Sequence, residues 1–202
     1  MATARLGSDV TAKICDYVLT LESGVPYSTS DQANKTTIYA TPDKSSKISL
    51  YNGSSWDIFT PGEMSKALGT LTSNLPYDVF CYDNSGTPTL EFLAWSTTTA
   101  RATALTRQDG VLVKSGATTR RYLGTFYTSS TTQTQDTSAA RFVWSEYGRF
   151  SKVITKFIVS SHSYTAAAGT IRQWNADTSA KMEFVTGYES NPVMCSVAAD
   201  SR

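Results

Sequence analysis

The chain has 202 residues and carries 18 Lys and Arg against 17 Asp and Glu, so its formal net charge is +1. This balance argues against a protein that grips nucleic acid through many phosphates, because such proteins carry a marked basic excess. Ser and Thr supply 56 residues, whereas only 17% of residues are charged and 40% are hydrophobic. The composition therefore predicts a real apolar core under a surface of neutral hydroxyl groups.

The three cysteines, Cys15, Cys81 and Cys195, are far apart and odd in number. Small disulfide scaffolds usually contain more cysteines than this, so we expect unpaired thiols and assembly in a reducing cytoplasm. The first residues lack the apolar region of a secretory signal, and no stretch approaches 18 consecutive apolar residues. We therefore expect neither a signal peptide nor membrane insertion.

The N-terminal third of the chain begins with residues 1–14, which are small, polar and without a clear period. Such a segment is typical of an arm that becomes ordered only against a partner. Alternating apolar residues predict a first strand over 15–21, and a second strand is predicted over 36–40. Strands over 48–51 and 56–59 flank Asn52-Gly53, a pair that supplies the positive φ angles of a tight hairpin turn.

A short helix is predicted next, because Thr60-Pro61-Gly62-Glu63 has the pattern of a capping box and would begin a helix ending near residue 68. A second hairpin follows, with strands over 77–82 and 89–95 around a turn at 83–86. Its alternation predicts one shared sheet face for Val79, Cys81, Leu90, Phe92 and Ala94. Further strands are predicted over 110–114 and 121–127, joined by a loop that contains Ser-Gly.

Residues 128–138 (TSSTTQTQDTS) contain no apolar side chain and are predicted to be a linker or a long exposed loop. They would separate a main domain over 15–127 from a smaller C-terminal subdomain over 139–202. In that subdomain the patterns predict a short helix over 139–147 and strands over three ranges: 156–164, 169–174 and 182–187. The whole predicts an all-β fold, either an antiparallel β-sandwich or a partly open barrel with a smaller C-terminal β-region.

The sequence offers little for catalysis or metal binding. His162 is the one histidine, and no nucleophile motif accompanies it, so it is interpreted as a polar residue on a sheet face. One histidine and three scattered cysteines cannot supply a zinc site. Residues 83–86 faintly resemble a calcium loop, but the later ligands are missing and a hairpin turn explains them better. We therefore expect no catalytic residue, metal or cofactor.

Carboxylates, tryptophans and basic residues complete the candidate groups. A glycosidase needs two carboxylates across a cleft, and spacing cannot pair any two of the dispersed candidates, which are Asp57, Glu63, Asp78, Glu91, Glu146 and Glu183. Four tryptophans could stack on sugar rings, although aromatic residues at alternating strand positions usually belong to a core; they are Trp56, Trp95, Trp144 and Trp174. The basic residues Arg120, Arg121, Lys152 and Lys156 are interpreted as solvated positions.

Several longer motifs carry a family resemblance. They include LTLESGVP over 19–26, TIYATP over 37–42, ISLYNGSSW over 48–56 and KSGATTRRYLGT over 114–125. Shorter matches lie at 77–80, 83–86, 101–105, 108–111, 141–144 and 172–175. Across roughly residues 17–190, this series resembles virion structural proteins of tailed bacteriophages, among them minor structural and fibre- or spike-like proteins. The resemblance implies no catalytic or metal site, and the N-terminal arm lies outside it.

The expected function is therefore a non-enzymatic structural component of a phage particle: a fibre, a spike, or a decoration protein of head or tail. The arm over 1–14 would attach the protein to other virion proteins after assembly in the host cytoplasm. By analogy such a component is a homo-oligomer, with a trimer expected, and it would contact a glycan or a protein on the host surface. A carbohydrate-binding module is the alternative, and a glycan hydrolase comes third.

Overall fold

The computed structural model describes residues 11–149, 152, 154–155 and 181–188. In this part of the chain the fold is all-β, as the sequence predicted. The strands described there are β1 (Tyr17–Thr20), β2 (Gln32–Lys35), β3 (Thr37–Pro42), β4 (Ile48–Tyr51), β5 (Trp56–Phe59), β6 (Met64–Ala67), β7 (Pro76–Asn84), β8 (Thr87–Ala94), β9 (Leu105–Gln108), β10 (Val111–Lys114), β11 (Ala117–Tyr127), β12 (Thr134–Thr137), β13 (Ala140–Arg141), β14 (Val143–Ser145) and β15 (Glu183–Phe184).

These strands form a sandwich of several sheets, and no barrel closes among them in the described ranges. The largest sheet has the order β8-β7-β11-β10-β9, and β14 pairs with the second half of β11. A second sheet has the order β1-β3-β6, β4 and β5 form a separate hairpin, and a fourth sheet has the order β15-β13-β12-β2. All these pairings are antiparallel except that of β13 with β15.

The main core lies between the largest sheet and the strands that cover it. Leu19, Ile38 and Leu50 come from β1, β3 and β4, and each is at most 3% exposed. They pack in one cluster with Val79, Cys81 and Leu90 of the β7–β8 hairpin, while Phe92 and Ala94 pack against it. The predicted shared face is therefore confirmed. Burying each large aliphatic side chain contributes about 1.5–3 kcal/mol to the hydrophobic stabilisation.

Strand β11 organises the fold because it pairs with three other strands, using both of its edges. One edge pairs with β7, and the other pairs first with β10 and then with β14. Its register with β7 shifts between Tyr122 and Gly124, as at a β-bulge. At Gly124 (φ +155°) a Cβ atom would lie 2.2 Å from the carbonyl oxygen of Trp144 and 2.7 Å from Cδ1 of Leu19. Only a glycine at this position of β11 lets β1 and β14 approach β11 this closely.

The helix predicted to follow Thr60 is wrong. Residues Met64–Ala67 form β6, which pairs with β3 in an antiparallel ladder. Gly62 has φ +73°, which is not a helical angle. The Glu63 carboxylate, which a capping box would direct to its own helix, accepts hydrogen bonds from the Gly24 amide and the Thr41 hydroxyl, at 2.6 and 2.7 Å. Long-range contacts override the local pattern here.

The helix predicted over 139–147 is also wrong, because this range contains β13 and β14. Val143 pairs with Phe126 of β11, and both side chains are buried in the main core. Burial of Val143 in the core and pairing of β14 with the edge of β11 thus outweigh the weak helical pattern.

The polar stretch 128–138 is part of the body instead of a free loop. It contains β12, which pairs with β2. Thr128 and Thr134 are fully buried, and their hydroxyls donate hydrogen bonds to the carbonyl oxygens of Thr72 and Tyr127, at 2.8 and 2.7 Å. Through β12 and β14, residues after position 128 join sheets with residues before it.

Both hairpins predicted at Asn52-Gly53 and at 83–86 are confirmed. The strand predicted over 182–187 contains β15. The strands predicted over 156–164 and 169–174 lie outside the described residues, as do residues 1–10 of the predicted arm. Residues 11–14 pack on the body: Ala12 is fully buried, and the Ile14 carbonyl accepts a hydrogen bond from the Ser49 amide at 2.9 Å.

Candidate functional site

A buried carboxylate, Asp78 on β7, is the centre of the most connected polar network in the described residues. Its side chain is 1% exposed. Arg101 Nε donates to one carboxylate oxygen at 2.7 Å, and Trp95 Nε1 and Thr125 Oγ1 donate to the other at 2.9 and 2.7 Å. A buried charge is tolerated when it is paired and hydrogen-bonded in this way.

Arg101 extends this network to the segment 181–188. Its Nη2 atom donates to the carbonyl oxygen of Gly187, and its guanidinium lies 4.4 Å from the ring centroid of Trp95. The Tyr122 hydroxyl also donates to the Gly187 carbonyl, at 3.1 Å. Burial raises the pKa of Tyr122 well above its usual value, so the hydroxyl stays protonated and remains a donor.

Gly187 is required at this junction. A Cβ atom there would lie 2.2 Å from both Cε3 of Trp144 and the Tyr122 hydroxyl oxygen. The segment 181–188 is thereby held tightly against the face of the largest sheet.

A groove of about 880 Å³ runs between the loop that contains Trp95–Arg101 and the segment 181–188. Phe184 lies in its lining and is 45% exposed. The aromatic side chains of the lining are Trp95, Tyr127, Phe142, Phe184 and Tyr188. Its polar side chains are Thr98, Thr99, Arg101, Glu183 and Thr186. The groove can therefore offer both flat apolar surfaces and neutral hydrogen-bonding groups.

A second buried charge, Arg121 of β11, is 1% exposed. Its Nη1 atom donates to the carbonyl oxygens of Ala12 and Ser49, both at 2.8 Å, and its Nε atom donates to the Tyr147 hydroxyl at 3.1 Å. The interpretation of Arg121 as a solvated residue is therefore wrong. Side chains alternate along a strand, and the neighbouring Arg120 points to the other face, where its Nε atom lies 2.8 Å from Glu91.

The thiols of Cys15 and Cys81 lie close enough to Arg121 to be affected by its charge. Cys81 is fully buried, with its sulfur 3.7 Å from the Met64 sulfur, and burial raises its pKa to about 12. Burial also raises the pKa of Cys15, although the charge of Arg121 opposes this effect. Since the thiolate is the nucleophile, neither cysteine is prepared for nucleophilic chemistry at neutral pH. Cys195 lies outside the described residues.

The six candidate carboxylates each have their own partners. Asp57 accepts a hydrogen bond from Asn52 Nδ2 at 2.8 Å, and Glu183 pairs with Lys181 at 2.9 Å. Glu63 binds the Gly24 amide and the hydroxyls of Ser23 and Thr41. Asp78, likewise, is held by Arg101, Trp95 and Thr125.

Glu91 and Glu146 have pKa values shifted in opposite directions. Burial alone would raise the pKa of Glu91, but hydrogen bonds from Lys114 and Arg120, at 2.9 and 2.8 Å, outweigh it and hold the pKa below its usual value. At Glu146 burial is the larger effect and raises the pKa despite the nearby Arg149.

The other candidates are placed as follows. Trp56 is buried and donates through Nε1 to Asp109 at 2.8 Å, which fits a core residue. Trp144 is half-buried, with its ring centroid 6.1 Å from that of Tyr122. Lys152 pairs with Asp136. Trp174, His162 and Lys156 lie outside the described residues.

Residues 83–86 form a hairpin turn, as predicted. The Gly86 amide donates to Asp83 Oδ1 at 2.6 Å, and both Ser85 and Gly86 have positive φ angles. Across the described residues, no group of three or more His, Cys, Asp or Glu side chains is arranged to hold a metal ion. No helix within those same residues has the length and apolar character needed to span a membrane.

The sequence did not identify the network around Asp78 or the groove beside it. A signal was present, since Asp78 interrupts an apolar run of β7, and a carboxylate in a buried strand needs a cationic partner. That partner, Arg101, lies 23 residues away along the chain, and no spacing rule connects the two.

Comparisons with protein-family models, with curated proteins and with solved structures found no match to the chain.

Proposed function

We propose that this chain is a non-enzymatic structural component of a tailed-phage particle: a fibre, a spike, or a decoration protein of head or tail. It would assemble in the host cytoplasm and function in the virion. The family resemblance of the motifs supports this, together with the all-β body and the neutral, hydroxyl-rich composition. The buried charges Asp78 and Arg121 support it as well, because both hold distant parts of the chain together.

The anchoring of residues 11–14 carries the proposal most directly. Ala12 is fully buried, and its carbonyl oxygen is held by the buried Arg121. Residues 11–14 are therefore fixed to the body, which suits a preceding segment that attaches to other virion proteins or to copies of the same chain. The docking arm proposed here is residues 1–10, and residues 11–14 are its base. A homotrimer is proposed by analogy.

Deletion of residues 2–10 tests the arm without disturbing its base. A matched control replaces residues 2–10 with a Gly/Ser segment of the same length. Both variants should melt like the wild type, and both should be lost from particles purified on a density gradient. Incorporation of either variant at the normal copy number would place the docking surface on the body. Absence of the wild-type chain from purified particles would contradict the virion role itself.

A carbohydrate-binding module is the second candidate, and the groove beside Trp95 favours it. A glycan hydrolase is less well supported, because the lining of this groove includes one carboxylate, Glu183, among the described residues, and hydrolysis normally uses two.

A further inference from the structure

We propose that the groove beside Trp95 binds a neutral oligosaccharide without cleaving it. This inference deepens the proposed function and rests on it for the source of the ligand, a glycan of the host surface. The groove itself is defined by this chain's own residues, so its binding activity can be tested separately from incorporation into particles.

The lining of the groove mixes aromatic and hydroxyl-bearing side chains. Sugar rings present an apolar face of C–H groups and a rim of hydroxyls, so their sites combine aromatic platforms with a few fixed polar groups. Phe184 offers such a platform, since it is 45% exposed although it belongs to a strand. Thr98 and Thr99 on the opposite wall are exposed and carry hydroxyls.

The charged side chains of the described lining already have partners. Arg101 is already paired with Asp78 at 2.7 Å, and Glu183 with Lys181 at 2.9 Å. Both charged side chains of the described lining are therefore compensated by a neighbour inside the same protein. An anionic polymer would find no free cation among these lining residues, whereas a neutral glycan needs none.

Contacts of Arg101 make the groove rigid. Arg101 contacts both walls: it stacks on Trp95 of one wall and binds the Gly187 carbonyl of the other. Its own position is fixed by Asp78, which is almost fully buried. A groove that is organised before binding loses less conformational entropy when the ligand enters. Asp78 and Arg101 are thus positioning residues, and Phe184 is a contact residue.

Isothermal titration calorimetry with a panel of neutral tetra- to hexasaccharides tests this site: glucans, mannans, galactans and N-acetylglucosamine oligomers. At least one should bind, and Phe184→Ala should lower its affinity by about tenfold or more, as truncation of an aromatic contact does. Ile58→Ala is the matched control, because Ile58 is 50% exposed on β5 and outside the groove lining. It should leave the affinity unchanged.

Four results would overturn the inference. The first is failure of every oligosaccharide to bind. The second is binding whose affinity Phe184→Ala leaves unaltered, and the third is binding of anionic polygalacturonate with the same affinity. The fourth is release of new reducing ends during incubation, which would show cleavage. Glycan binding by a chain that never enters particles would contradict only the proposed function, and incorporation without glycan binding would contradict only this inference.

Discussion

Arg121 donates a hydrogen bond to the carbonyl oxygen of Ala12, 2.8 Å away, and so joins residues that are 109 positions apart in the chain. The same Nη1 atom also donates to the Ser49 carbonyl. One buried guanidinium therefore connects β11, the hairpin β4–β5 and residues 11–14.

Substitution of this residue should destabilise the fold. Arg121→Met leaves the carbonyl oxygens of Ala12 and Ser49 buried without their donor, at a cost of about 2–4 kcal/mol in the free energy of unfolding. Arg120→Met is the matched control, since its ion pair with Glu91 is partly exposed and contributes about 1 kcal/mol or less. Urea denaturation measures both variants. Equal stabilities of the two would contradict the role given to Arg121.

Gly124→Ala should be more damaging than its single methyl group suggests. The new Cβ would lie 2.2 Å from a backbone oxygen of β14, which cannot move without breaking the sheet. We expect a loss of at least about 3 kcal/mol. Gly116→Ala provides the comparison, because Gly116 has φ +76° and open space around it, so only the backbone cost of about 1–2 kcal/mol applies. A similar melting temperature for the two variants would disprove the close approach at Gly124.

Glu91 should stabilise the protein at neutral pH, and this contribution should be lost in acid. Its pKa in the folded state lies below the ordinary value of 4.5, so the folded state favours the ionised form. The stabilisation is complete above pH 4.5 and is lost as the pH falls through the lowered folded pKa. Glu91→Gln should therefore cost less than about 1 kcal/mol at pH 7, and nothing at a pH below the folded pKa.

A variant without the two hydrogen-bond donors to Glu91 checks that they cause this pH dependence. In the Lys114→Met, Arg120→Met double variant, the loss of stability that Glu91→Gln causes at pH 7 should disappear or reverse, because both hydrogen-bond donors are gone and burial alone raises the pKa of the carboxyl. Persistence of the full pH dependence in that background would refute the assignment.

The Cys81 thiol should resist alkylation in the folded protein. It is fully buried with a pKa of about 12, so almost no thiolate exists at pH 8. Iodoacetamide followed by peptide mapping should find Cys81 unmodified in buffer and modified in urea. The exposed position in Ser54→Cys supplies a reactive control thiol in the same molecule. Labelling of both thiols at one rate in buffer would show that Cys81 is accessible.

Local turn chemistry accounts for the parts of the fold that the sequence predicted well. Ser85-Gly86 fixes its hairpin because both residues have positive φ angles, and in the Asn52-Gly53 hairpin the glycine has one. The Asp109-Gly110 pair, with both φ angles positive, carries the same signal for the hairpin of β9 and β10. It could have predicted β9, which the sequence patterns left out.

Tertiary contacts determine the features that the sequence patterns predicted wrongly or missed. The direction of the Glu63 carboxylate depends on Ser23, Gly24 and Thr41, far away in the chain. The inward orientation of Arg121 depends on the face that β4 covers. The groove depends on the contacts of Arg101 with the Asp78 carboxylate and the Gly187 carbonyl, which only the folded chain creates. None of these contacts leaves a periodic pattern in the sequence.

A density map of the intact phage particle, with this chain traced in place, would decide whether the protein is built into it. We predict that the β-sandwich lies on the outside of the head or tail, with residues 1–10 in contact with a neighbouring subunit. Complete particles whose density and protein composition both lack this chain would contradict it.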